Sequence, residues 1–106
     1  MWISEEGKTA VAHADANLTF SNRRELRRLT TDAVDRGART VVVDLSETEY
    51  VDTAALGMLA TLAHTVRVRG GAFCLTNVRP EIAAILVSLR LDLFLPIGDP
   101  EHRRAD

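Results

Sequence analysis

The sequence predicts an α/β fold: a mostly parallel sheet of four to five strands with helices alternating between them. Three observations predict it. Thr40-Val-Val-Val-Asp-Leu45 is β-branched and largely apolar, the pattern of a parallel strand covered on both faces. Two stretches, 26–33 and 56–66, repeat apolar residues at helical spacing. Strand-like and helix-like stretches then alternate along 106 residues, the length of one domain with one core.

The elements follow in order. Trp2-Ile3-Ser4 reads as a short strand, joined through a turn at Glu6-Gly7 to a small-residue strand, Thr9–His13. Ser21 or Asn22 can cap a helix whose inner residues are Leu26, Leu29 and Ala33. Gly37 suits the left-handed position that ends it. After the Thr40–Leu45 strand, Leu56, Leu59, Ala63 and Val66 form the stripe of a second helix, which Gly70-Gly71 stops. Ala72–Thr76 is another buried strand. Pro80 fits the first position of a third helix, with Glu81 favourable at its positive end. Ile82, Ile85, Leu86 and Leu89 are its predicted inner face. Leu93–Ile97 is read as extended. Residues 1–98 therefore form the predicted domain, and 99–106 a polar tail.

Composition excludes several classes. Hydrophobic residues at 46% and charged residues at 26% exclude a disordered or collagen-like chain. No apolar run reaches the roughly 18–20 residues that span a bilayer, so no membrane insertion is expected. Met1-Trp-Ile-Ser-Glu-Glu lacks the basic-then-apolar pattern of a secretory signal. A single cysteine, Cys74, offers no internal disulfide, which suits a reducing cytoplasm. A net charge of −2 is no footprint for nucleic acid.

No catalytic or cofactor motif is present. Gly-x-Gly-x-x-Gly and Walker-type Gly-Lys-Ser/Thr are absent. His13, His64 and His102 lack metal-ligand spacing, and His64 reads as a surface or boundary residue. Cys74 lies mid-strand as a small hydrophobe. Asp44 and Asp52 could suggest a magnesium-binding phosphoacceptor pair, but Lys8, the sole lysine, precedes every strand that could supply its cation. Arg23, Arg24, Arg27 and Arg28 read as a solvated helix face, with Glu25 and Asp32 as local partners.

The informative stretch is Asp44-Leu-Ser-Glu-Thr-Glu-Tyr-Val-Asp-Thr-Ala-Ala-Leu56. A buried strand ends near Asp44, Tyr50-Val51 re-enters apolar surroundings, and Asp52-Thr53 opens a helix. Loops after the carboxyl ends of strands are where α/β sheets meet ligands and partners. Asp52 and Thr53 are good helix caps. The same position offers unpaired N–H groups to an anion, and a phosphate on Thr53 would add about −1.5 to −2 charges to the surface.

These residues carry a family resemblance. Residues 40–46 and 50–59, then Arg-Gly-Gly-Ala-Phe-Cys-Leu-Thr-Asn-Val (69–78) and Leu-Asp-Leu-Phe-Leu-Pro-Ile (91–97), resemble a STAS domain, the fold of bacterial anti-sigma factor antagonists. Asn17–Asn22 resembles the family's approach to its first helix. The resemblance implies a non-catalytic switch that binds a kinase-fold anti-sigma factor carrying ATP, and so frees a sigma factor. It implies phosphorylation at Thr53, which separates the pair, and a phosphatase that resets it. Asp52 would orient the hydroxyl and help place the partner's metal-bound nucleotide. Ala54, Ala55 and Met58 would lie under the partner. Asp15 and Asn22 are candidates for the rim, against ordinary turn and cap roles. Asn77 and Arg79 are candidates for the border of the Thr53 surface, against capping the third helix. Alternatives within the family are an accessory subunit of an ABC lipid-transport system and a stress-complex scaffold component.

Three positions depart from the family pattern. Ala55 stands where the motif has Gly, and its methyl is expected to crowd a docking partner. Thr53 stands where the sigma-regulating members usually have Ser. Arg90-Leu91 replaces Gly-Leu after the last helix, so a different turn is expected there.

Overall fold

The computed structural model describes residues 1–98; the polar tail expected over 99–106 lies outside the described residues. β1 (Trp2–Glu6) and β2 (Thr9–His13) form an antiparallel hairpin through Gly7. β1 is longer than the short strand expected. β2 then pairs in parallel with β4 (Thr40–Asp44), and β4 with β6 (Ala72–Thr76). The sheet order is β1-β2-β4-β6, so parallel pairing dominates and one edge is antiparallel. The chain crosses between the parallel strands through α1 (Arg23–Asp35) and α2 (Thr53–Val68). α3 (Pro80–Ser88) follows β6.

Alternation along the strands decides what faces the core. Ala12, Val41, Val43, Phe73 and Leu75 point to one side and join Leu26 of α1, seven apolar residues of α2, and Ile82 and Leu86 of α3. Val42 and Cys74 point to the other side, where both are also buried. Ala10 of β2 meets Ala33 and Ala38 at the end of α1, and these small side chains let helix and sheet approach closely.

α1 departs from its expected stripe. Leu26, Thr30 and Ala33 are its buried residues, and Leu29 is only half-buried. The Thr30 hydroxyl donates to the Leu26 and Arg27 carbonyls, so the polar group is satisfied within its own helix. Gly37 has φ +110° and ends the helix as expected. Gly71 follows α2 under a tighter constraint: a Cβ there would overlap the Arg39 carbonyl oxygen.

The C-terminal third needs two corrections. Ile85 and Leu89 are 42% and 55% exposed, so the inner face of α3 is Ile82 and Leu86 alone. A helix of nine residues presents only one such stripe to the core. Leu93–Ile97 is not an extended strand. Leu91–Leu93 forms a 3₁₀ turn, Leu95 plugs the core, and only Ile97 makes a single parallel bridge to Leu75.

Arg90 is a third correction. The turn does not differ to spare it: Arg90 adopts the left-handed conformation, φ 58° and ψ 24°. A left-handed L-residue costs roughly 1–2 kcal/mol, which Gly avoids, while Gly adds unfolded-state entropy. Arg90→Gly is therefore expected to stabilise the protein by about 0.5–1 kcal/mol. Urea unfolding checks this: the midpoint should rise at unchanged slope, and a midpoint that falls would show that the Arg90 side chain anchors the turn.

Candidate functional site

The loop between β4 and α2 is fixed from both ends. Thr48 is fully buried, and its hydroxyl donates to the Asp15 carbonyl at 2.8 Å. Glu49 N–H donates to the Ala16 carbonyl at 2.8 Å. β3 (Asn17–Leu18) and β5 (Tyr50–Val51) then pair as a two-stranded parallel sheet that the sequence did not announce. Val51 is buried as expected, whereas Tyr50 is exposed.

Asp52 closes this construction. Its Oδ1 accepts the Ala55 N–H at 2.8 Å, which caps α2. Its Oδ2 accepts the Phe20 N–H at 2.9 Å, which ties the start of α2 to the loop before α1. These two N–H bonds, first Phe20 and then Ala55, hold the carboxyl below the ordinary carboxylate range, and the Arg23 charge adds to them. Asp52 is thus a cap and a cross-link, with both oxygens engaged.

Thr53 is the first residue of α2 and is exposed. No acidic residue occupies the first turn, so the positive end of the helix is answered by the capping Asp52 carboxylate. At the Asp52 cap the surface is partly aromatic. Phe20 is 65% exposed, with the Arg23 guanidinium 4.7 Å from its ring centroid. Sequence reasoning passed over Phe20. The available signal was a large aromatic side chain in a polar turn, between Thr19 and Ser21.

The remaining candidates divide. Ala54 is half-buried beside Thr53. Ala55 and Met58 are 0% and 7% exposed and belong to the core, so neither offers a side chain to a partner. They follow Thr53 by two and five positions, which turns them toward the sheet. The Ala55 methyl therefore fills the core instead of crowding the surface. Asn22 stands at the cap position of α1, but its side chain makes no capping bond. It clamps the preceding turn, accepting from Thr19 N–H and donating to the Asn17 carbonyl. Asp15 pairs with the Met1 amino group at 2.6 Å and raises that amine's pKa.

Asn77 and Arg79 serve the other end of the loop. The Asn77 amide donates to Asp44 Oδ1 at 3.3 Å, and Arg79 donates to the Ser46 carbonyl at 3.2 Å. Neither side chain caps α3. Asp44 also accepts the Ser46 N–H at 2.8 Å and lies 3.4 Å from His13 Nδ1. Burial pushes the Asp44 carboxyl up, but Ser46, Asn77 and His13 together hold it below its ordinary value. Asp44 and Asp52 thus have separate sets of partners. Among the described residues no three His, Cys, Asp or Glu side chains are placed to hold a metal, and no helix is long and apolar enough to cross a membrane.

The family model of the STAS domain matches residues 3–103, and the chain belongs to that family. The fold is similar to a Thermotoga maritima protein assigned as an anti-sigma factor antagonist, at TM-score 0.83 and 18% identity over 97% of this chain and 89% of that one. It is similar to the Bacillus cell-fate determinant SpoIIAA in its phosphorylated form, at TM-score 0.72 and 15% identity over 98% and 96%. An anti-sigma factor antagonist from Mycobacterium paratuberculosis matches at TM-score 0.78 and 17% identity, over 91% and 81%.

The two depressed carboxyls contribute to the acid side of the stability profile. A carboxyl whose folded pKa lies below its unfolded value of about 3.9 stabilises fully above that value. That stability is lost as pH falls through the folded pKa. Asp52→Asn should therefore lower stability at neutral pH and flatten the decline below about pH 4. Thermal melts of both proteins from neutral to acid pH check this. Parallel curves would mean that the Phe20 and Ala55 bonds do not favour the charged form.

Proposed function

We propose that the chain is a non-catalytic binding module, an anti-sigma factor antagonist acting in the cytoplasm. It holds a kinase-fold anti-sigma factor against the face around Asp52 and Thr53, and so releases a sigma factor. Phosphorylation of Thr53 switches it off. The observation that carries this reading is an exposed Thr53 as the first residue of a helix whose cap is held by two hydrogen bonds. That SpoIIAA has a phosphorylated form supports it.

The chemistry belongs to the partner. The γ-phosphoryl group of the partner's bound ATP passes to Thr53 Oγ1. The Oγ1–P bond forms, the bond from γ-phosphorus to the β-γ bridging oxygen breaks, and ADP leaves. The hydroxyl proton passes to a base on the partner. Asp52 is a poor base here, because both its oxygens accept N–H bonds and its pKa is low. A cap that is already satisfied keeps the helix start in place while the hydroxyl is presented. The product carries about −1.5 to −2 charges on a face beside Phe20. Desolvating that charge against a fitted partner opposes binding. A phosphatase that hydrolyses the ester restores the neutral hydroxyl.

Wild-type and Thr53→Glu proteins used as baits in native lysate test the reading. Wild type should capture a kinase-fold protein, and Thr53→Glu should bind it about 10²–10³-fold more weakly, as like-charge or unpaired-charge contacts cost several kcal/mol. The captured kinase with ATP should label wild type at Thr53 and leave Thr53→Val unlabelled. Equal capture by both baits, with wild type unlabelled, would overturn the switch. An ABC ATPase on both baits would indicate the transport role, and a large stress assembly the scaffold role.

A further inference from the structure

We infer that Arg23 is the counter-ion of the phosphate on Thr53, and that modification draws its guanidinium from the Phe20 ring to the phosphate. This rests on the phospho-switch reading above. Three observations single out Arg23. It is the first residue of α1, as Thr53 is the first residue of α2, and the Asp52 carboxylate to Phe20 N–H bond joins the two helix starts. Its guanidinium lies over Phe20, and its charge is felt at Asp52. Its Nε is buried without a hydrogen-bond partner among the described residues; the Nε of Arg79 is too, but that guanidinium is engaged by the Ser46 carbonyl.

Six other arginines among the described residues are already committed, and among the rest it is Arg23 whose guanidinium lies over Phe20. Arg28, Arg36 and Arg69 hold carboxylates, while Arg39, Arg67 and Arg79 donate to carbonyl oxygens. Arg23 does neither, and its ring contact is the kind of interaction that yields to a stronger one. A cation over an exposed ring is held weakly, whereas a guanidinium pairs with phosphate through two charge-assisted bonds. The nearby Asp52 carboxylate attracts the guanidinium but forms no salt bridge with it among the described residues, and its two oxygens each already accept an N–H bond, so a phosphate dianion is the stronger partner.

The consequence concerns the face as well as the charge. In the hydroxyl form the surface presents an aromatic ring covered by a cation. In the phosphorylated form that cover moves to the phosphate and the ring is bared. Partner release then follows from a changed surface in addition to repulsion.

The test places phosphothreonine at position 53 by genetic encoding, which needs no kinase. ³¹P NMR then follows its second ionisation, near pH 6 for a free phosphate ester, in wild type, Arg23→Gln and Arg23→Lys. A neighbouring cation favours the dianion, so the wild-type pKa should lie about 1 unit below that of Arg23→Gln, and Arg23→Lys should restore part of the shift. The Arg23 side-chain protons, shielded by the Phe20 ring before modification, should lose that shielding after it. Equal ionisation in wild type and Arg23→Gln, or unmoved Arg23 resonances, would overturn the inference. The switch reading fails separately. If protein purified from native cells carries no phosphate at Thr53 while the encoded form shows the shift, the role of Arg23 stands and the switch does not.

Discussion

The site depends on one carboxylate. Asp52 caps α2 with one oxygen and holds the loop before α1 with the other. Neither segment would be placed by its own propensity. Residues 17–22 form two residues of strand and a polar turn, and residues 45–51 are a loop with two more. Their contacts with each other run through Asp15, Ala16, Leu18 and Phe20, and Asp52 is where that ladder meets a helix. A charged acceptor is favoured there, because hydrogen bonds to ionised groups are the strong ones and the helix N-terminus adds its own field.

The main sheet was legible because its signals are local. β4 is a β-branched run, α2 has a full stripe, and Gly37 and Pro80 mark a helix end and a helix start. Illegible features depend on partners distant in sequence. Thr30 and Thr48 are buried because one hydroxyl folds back on its helix and the other reaches Asp15. Hydropathy cannot register either. Nor can it foresee β3 and β5, which are strands only because they have each other. Leu89 falls just beyond the end of α3 and Ile85 on the edge of its inner stripe, and periodicity alone reports neither.

The local geometry at Asp52 and Thr53 was legible in the sequence, and the burial of Ala55 and Met58 was not. The Asp52-Thr53 pair is capping chemistry next to an exposed hydroxyl, and the residue types say as much. Ala55 and Met58 were placed by adjacency in sequence, whereas a helix turns successive residues through about 100° and returns these two to the core. Asn77 and Arg79 do lie on a loop after a strand, as the topology suggests, but their bonds go to Asp44 and Ser46. They hold the far end of the same loop that Asp52 holds at its near end.

That division would let a small domain carry the proposed switch without a moving backbone. Loops are normally the mobile elements of a fold, yet this one is pinned by Asn77, Arg79, Thr48 and Asp52. A partner that binds it therefore loses little freedom in ordering it, and complementarity can be tight. The same rigidity would make the proposed interface vulnerable. A pinned backbone cannot retreat from a new charge on Thr53, so accommodation falls to side chains, and beside it Arg23 is held only against an exposed ring. A modification confined to one hydroxyl can then act on binding while leaving the fold intact, because the oxygens of Asp52 that hold the fold are not the atoms that change.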